Sequence, residues 1–307
     1  MISYYKTIDE RLTPIDEIDV NCWVSLTDPT ESEISYIVNE LSLDPDFVRA
    51  ALDEEESSRI ETDDGKVLII IDIPQVEREG EAVIYSTMPL GIIIAEKHIV
   101  TVCLKDSNII REFAAGSVKK IKTEYRTEFV LYLFYNVANR FLQYLKQIDK
   151  ISAHVEKRLH KSMKNQELIQ LLDLEKSLVF FSTSLKSNEV TMEKILRGRT
   201  IKLYDEDQEL LEDVIIEIKQ AIEMSNIYSS ILSGTMDAFA SVISNNLNIV
   251  MKVMTSMSIL LTVPTIIASF YGMNVAGIPM PTFWFPVVLS LVIMGCAGFL
   301  LSKKGLL

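Results

Sequence analysis

Eleven positions in the last quarter of the chain carry small or oxygen-bearing side chains, with one methionine among them, at alternating spacings of three and four. They are Gly234, Asp237, Ser241, Ser244, Asn248, Met251, Thr255, Ser258, Thr262, Thr265 and Ser269. That spacing lines one face of a helix. Hydroxyls and amides on such a face are costly against lipid, so they must meet other helices or water. Two uses are open. The stripe could serve interhelical hydrogen bonding and close packing, or it could be the wall of an aqueous path. In the second case a symmetric ring of copies turns each position into a ring of oxygens, with Met251 and Met254 as apolar constrictions. The unbroken continuation through Asn248 to Asp237 favours the pore wall, and makes Asp237 a cation site beneath the membrane.

The elements that must hold this stripe are legible around it. Residues 253–302 contain no Asp, Glu, Lys or Arg, although 24% of the chain is charged. Two apolar runs fall there, 253–270 and 282–302, each close to the ~20 residues a helix needs to cross ~30 Å of hydrocarbon. The sequence therefore predicts a two-helix transmembrane hairpin joined by the loop 271–281, which contains Tyr271-Gly272-Met273-Asn274. Lys252 precedes the first span and Lys303-Lys304 follow the second, whereas the loop has no cation. The positive-inside rule then puts both termini in the cytoplasm and makes the protein a multi-pass protein of the cell membrane. A two-span subunit cannot enclose a path alone, so a pore requires identical subunits in closed cyclic symmetry. The second span, with Phe283, Trp284 and Phe285 at its outer end, reads as the outer helix, its aromatics at the lipid interface.

Before the membrane, residues 1–120 read as a cytosolic α/β domain. Strand-like runs rich in Val, Ile and Thr occur at Val20 to Leu26, Val67 to Ile73, Ala82 to Thr87, Leu90 to Ala95 and His98 to Leu104. Short helices fit Glu31 to Leu41, Asp44 to Leu52 and Ser107 to Ala115, the first with a capped, acidic start at Pro29-Thr30-Glu31-Ser32-Glu33. Residues 121–200 form a hairpin of long helices, about Glu128 to His160 and Asn165 to Leu196, ending at Arg197-Gly198-Arg199-Thr200-Ile201. A stalk, residues 201–252, has its helix starting near Tyr204 and continuing into the first span, about 100 Å of helix at ~1.5 Å per residue. Residues 303–307 are a cytosolic tail.

A formal charge of −13 and a pI near 4.8 argue against nucleic acid and fit a surface that handles cations. Cys22, Cys103 and Cys296 are scattered and suit neither a disulfide framework nor a zinc site. His98, His154 and His160 are isolated and read as surface or packing residues. Met1 to Glu10 holds Lys6, Asp9 and Glu10 without an apolar core, so no cleavable leader is expected there. With no phosphate-binding Gly-x-x-x-x-Gly-Lys-Ser/Thr loop and no nucleophile and base in a catalytic pattern, neither an enzyme nor an organic cofactor is expected.

Tyr271-Gly272-Met273-Asn274, directly after a first span and before a second that ends in Lys303-Lys304, resembles the signature of the CorA family of divalent-cation transport proteins. Asn248 to Val253 is similar to that family's segment at the membrane face, Ser233-Gly234-Thr235-Met236-Asp237 to its upstream stalk, and Trp284-Phe285-Pro286 to the start of its second span. The resemblance implies a funnel-shaped homopentamer that conducts Mg²⁺ as a gated channel, with Co²⁺ and Ni²⁺ as further candidate ions. It implies that Asn274 with Gly272 and Met273 forms an outer selectivity ring and Asn248 a second polar ring. By the same resemblance Met251, Met254 and Thr262 correspond to the family's constriction positions. A ring of amide oxygens suits Mg²⁺, which dehydrates reluctantly and keeps several waters.

The resemblance further implies closure by cytosolic metal, with Mg²⁺ as regulatory ligand as well as substrate, held between neighbouring subunits. Asp213 stands at the stalk position for such a ligand. On the α/β side Arg49 and Ala50 occur where acids are expected, and the cluster Asp53-Glu54-Glu55-Glu56 could substitute. The outer loop from Val275 to Pro281 has no acid either. Two alternatives remain: a zinc or other transition-metal transporter of the same fold, against which the intact Gly272-Met273-Asn274 counts, and a membrane-anchored cation-sensing scaffold that does not conduct.

Overall fold

The structure, a computed structural model, describes all residues except 80–81, 117–120, 163–164, 199, 274–276, 278, 281 and 307. Arg199 of the expected break and Asn274, Val275, Ala276, Ile278 and Pro281 of the loop thus lie outside the described residues. The chain divides into two compact units, Met1–Gly234 and Thr235–Leu307.

Among the described residues of the first unit seven strands form one mixed sheet in the order β2-β1-β3-β7-β6-β5-β4. The strands are β1 (Ile2–Ile8), β2 (Arg11–Ile15), β3 (Trp23–Thr27), β4 (Arg59–Asp63), β5 (Lys66–Glu79), β6 (Ala82–Ile94) and β7 (Ile99–Cys103). Among the described residues only β3 and β7 pair in parallel, Trp23 opposite Ile99. Val67 to Ile71 are all buried because both faces of the sheet are covered, which gives β5 a continuous apolar run instead of an alternating one. On one face Leu68, Ile70, Val100 and Val102 pack with Ile34, Ile37, Phe47 and Val48 of the short helices α1 (Glu31–Glu40) and α2 (Pro45–Ala50). The expected capped start of α1 is a full capping box: the Glu33 amide donates to the Thr30 hydroxyl, and the Glu33 carboxylate accepts from the Thr30 amide at 2.8 Å. Gly91 of β6 sits under the end of α2, where a Cβ would come within 2.3 Å of the Ala51 Cβ.

The three long helices are α4 (Arg126–Ser162), α5 (Asn165–Arg197) and α6 (Asp205–Tyr271), after the short α3 (Asn108–Ala114). Of these, α4 and α5 cover the other face of the sheet, in part through aromatic contacts. Trp23 meets Phe129 of α4 at 5.3 Å between ring centroids, and Tyr85 meets Phe181 of α5 at 6.1 Å. Asn188 of α5, fully buried, accepts from the Asp72 amide at 2.8 Å and donates to the Asp72 carbonyl at 2.8 Å. One amide side chain thereby pins α5 to a point on β5 that has no neighbour ladder bond to spare.

The strand expectations need correction in two respects. β1 and β2 at the beginning of the chain and β4 at the far edge went unanticipated. β2 carries Pro14 and β4 reads Arg-Ile-Glu-Thr-Asp, the polar or proline-bearing makeup that suits an edge strand. The runs 82–87 and 90–95 are one strand, β6, with Pro89 inside it. Proline fits there because β7 pairs with β6 only from Leu90 onward, leaving that side of Pro89 without a partner strand.

The second unit holds the C-terminal part of α6 and helix α7 (Trp284–Lys303). Both helices are long and apolar enough to cross a membrane. Pro264 lies inside α6 and removes one backbone donor from its ladder.

Candidate functional site

The face of α6 that meets α7 is set by which of its residues lose exposure in the second unit. Ser256 is 2% exposed; Leu260, Val263, Pro264, Ile267 and Tyr271 are partly covered. Leu260 lies 3.8 Å from the Cβ position of Gly298, and the Tyr271 and Phe285 rings are 6.1 Å apart. At about 100° per residue these positions cluster on one side of the helix, and Thr255, Ser258, Thr262, Thr265 and Ser269 centre roughly 180° away. All five are exposed, as are Asn248, Met251, Met254 and Asp237. The polar stripe therefore points away from α7, on the side left open to further copies or to water.

Three hydroxyls of that stripe donate back into their own helix. Ser258 donates to the Met254 carbonyl at 2.9 Å, Thr262 to Ser258 at 2.7 Å and Thr265 to Leu261 at 3.2 Å. A serine or threonine that spends its single proton on the preceding turn shows only lone pairs outward. At those three positions the surface accepts hydrogen bonds from the water shell of a cation.

At the end of α6 the helix is drawn closed around the loop. The Gly272 amide donates to the Ala268 carbonyl at 2.9 Å, and a Cβ on Gly272 would lie 3.3 Å from that oxygen. The Tyr271 hydroxyl donates to the Pro279 carbonyl at 3.1 Å, bridging the two limbs of the loop. Met273 is half exposed and its amide reaches the Phe270 carbonyl at 3.4 Å. The fourth member of the sequence motif, Asn274, is outside the described residues.

The acids singled out for regulation lie in the first unit. Asp213 is exposed on α6. Asp53 and Glu54 are exposed beyond α2; the Asp53 carboxylate accepts from the Glu55 amide at 3.0 Å. Glu54 is paired with Lys105 at 3.2 Å, and the same ammonium reaches Glu77 at 3.5 Å. The Glu54 hydrogen bond, then the charges of Glu54 and Glu77, hold the Lys105 pKa above its ordinary value. Arg49 pairs with Glu31 at 3.2 Å. Among the described residues of one chain, no three His, Cys, Asp or Glu side chains converge as a metal cluster. A cation that used Glu54 would first have to displace the Lys105 ammonium.

Ser256 escaped the sequence reading. It sits between Thr255 and Ser258 in sequence but on the opposite face, and its hydroxyl donates to the Leu306 carbonyl at 2.7 Å. Its only sequence signal is a hydroxyl out of step with the three-four repeat.

A family model described as CorA-like Mg²⁺ transporter protein matches residues 19–303. The cobalt/magnesium transport protein CorA of Methanocaldococcus jannaschii is 26% identical over 291 residues, spanning 92% of this chain and 90% of that protein. The protein of the same name from Thermotoga maritima is 24% identical over 309 residues, spanning 94% of this chain and 84% of its own length. The complete structure of the M. jannaschii CorA magnesium transporter superposes with a TM-score of 0.85 over 100% of this chain and 99% of that one, at 23% identity, a likeness of fold. Two apolar helices in a chain so related make this a membrane protein. The chain belongs to the CorA-like Mg²⁺ transporter family.

Proposed function

We propose that this chain is one subunit of a homopentameric, gated channel for Mg²⁺ and Co²⁺, set in the cell membrane with both termini in the cytoplasm. The observation that carries this reading is the placement of the polar stripe on the side of α6 opposite α7, with the Ser258, Thr262 and Thr265 protons turned inward to the helix. Around a five-fold axis α7 is the outer helix, and Asn248, Thr255, Ser258, Thr262, Thr265 and Ser269 become stacked rings of oxygen acceptors. Met251 and Met254 form the apolar constriction at the cytosolic side. Gly272, Met273 and Asn274 form the outer ring, held by the Tyr271 to Pro279 bridge. Asp237 supplies a cation site below the membrane.

The drive is the membrane potential. A divalent ion gains roughly 4.6 kcal/mol on entering at 100 mV, from ~2.3 kcal/mol per charge. That gain sustains about 10³-fold accumulation, at 1.4 kcal/mol per tenfold. A passive path is then adequate, and closing it is the regulated step. Closure follows cytosolic divalent metal bound between subunits, with Asp213 from one and the Asp53 and Glu54 segment from its neighbour. The M. jannaschii and T. maritima relatives are named for cobalt and magnesium transport, which supports this ion choice over zinc.

The test is ion flux into vesicles that contain the purified full chain, under an inside-negative potential with internal metal chelated. Mg²⁺ entry that Asn274→Ala abolishes or makes unselective is the expected result. A parent that passes no Mg²⁺ or Co²⁺ under these conditions would favour a cation-sensing membrane scaffold.

A further inference from the structure

We infer that Ser256 is a positioning residue for the gate, acting through the C-terminal turn of α7; the inference rests on the channel reading above. Its hydroxyl is almost wholly buried, 2% exposed, and it reaches across 50 residues of sequence to the Leu306 carbonyl. The carbonyl is delivered there by a defined helix ending. Gly305, at φ +66°, takes the left-handed conformation that glycine adopts without strain. The Gly305 amide then donates to Ser302 at 3.0 Å and the Leu306 amide to Leu301 at 3.0 Å, the paired bonds of a Schellman motif. The chain reverses at that glycine, so the Leu306 carbonyl faces α6 instead of continuing along α7.

The consequence lies in where Ser256 stands on α6. Its sequence neighbours Met254, Thr255 and Ser258 belong to the open face, and Met254 also accepts the Ser258 hydroxyl. A bond that fixes the rotation of this turn against α7 fixes the direction in which Met254 and Thr255 point. Other hydroxyls of the span, Ser258, Thr262 and Thr265, donate within their own helix. Ser256 donates to a different segment, which is what a register pin between two helices requires. Breaking the bond frees the turn to rotate while the outer loop and the rings above it are untouched.

Two routes remove the same bond: Ser256→Ala takes the donor, and truncation after Gly305 takes the acceptor. Each is expected to raise the internal Mg²⁺ concentration that half-closes the channel by about threefold, the scale of one net hydrogen bond. The double variant is expected to shift it no further than either alone, and the external Mg²⁺ concentration for half-maximal flux should stay at the parent value. Hydrogen exchange of the α7 C-terminal amides reads the latch without reference to transport, and should quicken at Gly305 in Ser256→Ala. Quickened exchange with a parental closing threshold would make the contact structural only and overturn the inference, as would unchanged exchange. Additive shifts in the double variant would also overturn it. A parent that does not conduct would sink the channel reading, while the exchange result would still decide whether the latch exists.

Discussion

Tyr271, the last residue of α6, donates its hydroxyl to the Pro279 carbonyl across the loop at 3.1 Å while its ring faces Phe285 at 6.1 Å. One side chain thus sets both the spacing of the loop limbs and the approach of α7. Tyr271→Phe keeps the ring and deletes the bond. We expect a loss of Mg²⁺ over Ca²⁺ selectivity of about threefold to tenfold, one hydrogen bond's worth, with oligomer size unchanged by light scattering. Parental selectivity in the variant would show that the bridge does not shape the outer ring.

Lys105 bridges Glu54 and Glu77 and so occupies the place of a cation beside the acidic cluster. Lys105→Ala frees Glu54 for a divalent ion. Closure should then occur at several-fold lower internal Mg²⁺ than in the parent. If the threshold does not move, the Asp53 and Glu54 segment takes no part in sensing and Asp213 must act with other groups.

Asp72 is half-buried beside Ser58 and Ser184, and burial raises its pKa while the nearness of those two hydroxyls offsets only part of the rise. The Ser58 hydroxyl gives its one proton to the Asn188 amide oxygen and the Ser184 hydroxyl to the Thr87 hydroxyl, both at 2.8 Å, so each turns lone pairs toward the carboxyl. Because the folded-state pKa lies above the unfolded one, the carboxyl contributes stability that is full below the unfolded pKa of about 3.9. That contribution is lost as pH rises through the folded pKa. Asp72→Asn, whose NH₂ can donate into the same hydroxyl lone pairs, should raise Tm at pH 7. The gain should shrink toward pH 4 in a thermal scan of the full chain. A lower Tm at pH 7 with an unchanged pH slope would contradict the assignment.

Gly91→Ala places a methyl 2.3 Å from the Ala51 Cβ, where β6 passes beneath α2. Overpacking of this kind costs about 1–3 kcal/mol. Thermal unfolding of the purified variant should show it as a lower Tm, with secondary structure at room temperature unchanged by circular dichroism. A Tm equal to the parent's would mean that the end of α2 yields freely.

How much of this the sequence shows depends on what each residue had to signal. The apolar block 253–302 and the three-four repeat of oxygens are properties of the chain itself and read directly. So do the β5 run, buried on both faces, and the capped start of α1. Edge strands β2 and β4 carry Pro14 and charged residues in place of an apolar pattern, so they leave little periodic trace. Pro89 divided β6 on paper because a proline in a strand is harmless only where no neighbour pairs, and pairing is a tertiary fact. The stripe's composition was legible, but its opposition to α7 was not, since a helical pattern names a face without naming its neighbour. Ser256 and Lys105 share that limit: each is ordinary in sequence and acquires meaning from a partner 50 or more residues away.

The most direct test of the central claim, that ions pass along the face of α6 turned away from α7, is thiol block of flux through single cysteines. Cys22 and Cys103 can stay, because both are buried and burial raises their pKa, that of Cys103 to about 12. Only Cys296, which is exposed, needs replacement by alanine. Cysteine is then introduced at Thr262 or Ser258 on the stripe and, for comparison, at Leu260 beside Gly298. A small, water-soluble cationic thiol reagent should block Mg²⁺ flux through the Thr262→Cys and Ser258→Cys channels and leave Leu260→Cys conducting. Block at Leu260→Cys with free conduction through both stripe variants would place the ion path elsewhere and contradict the account.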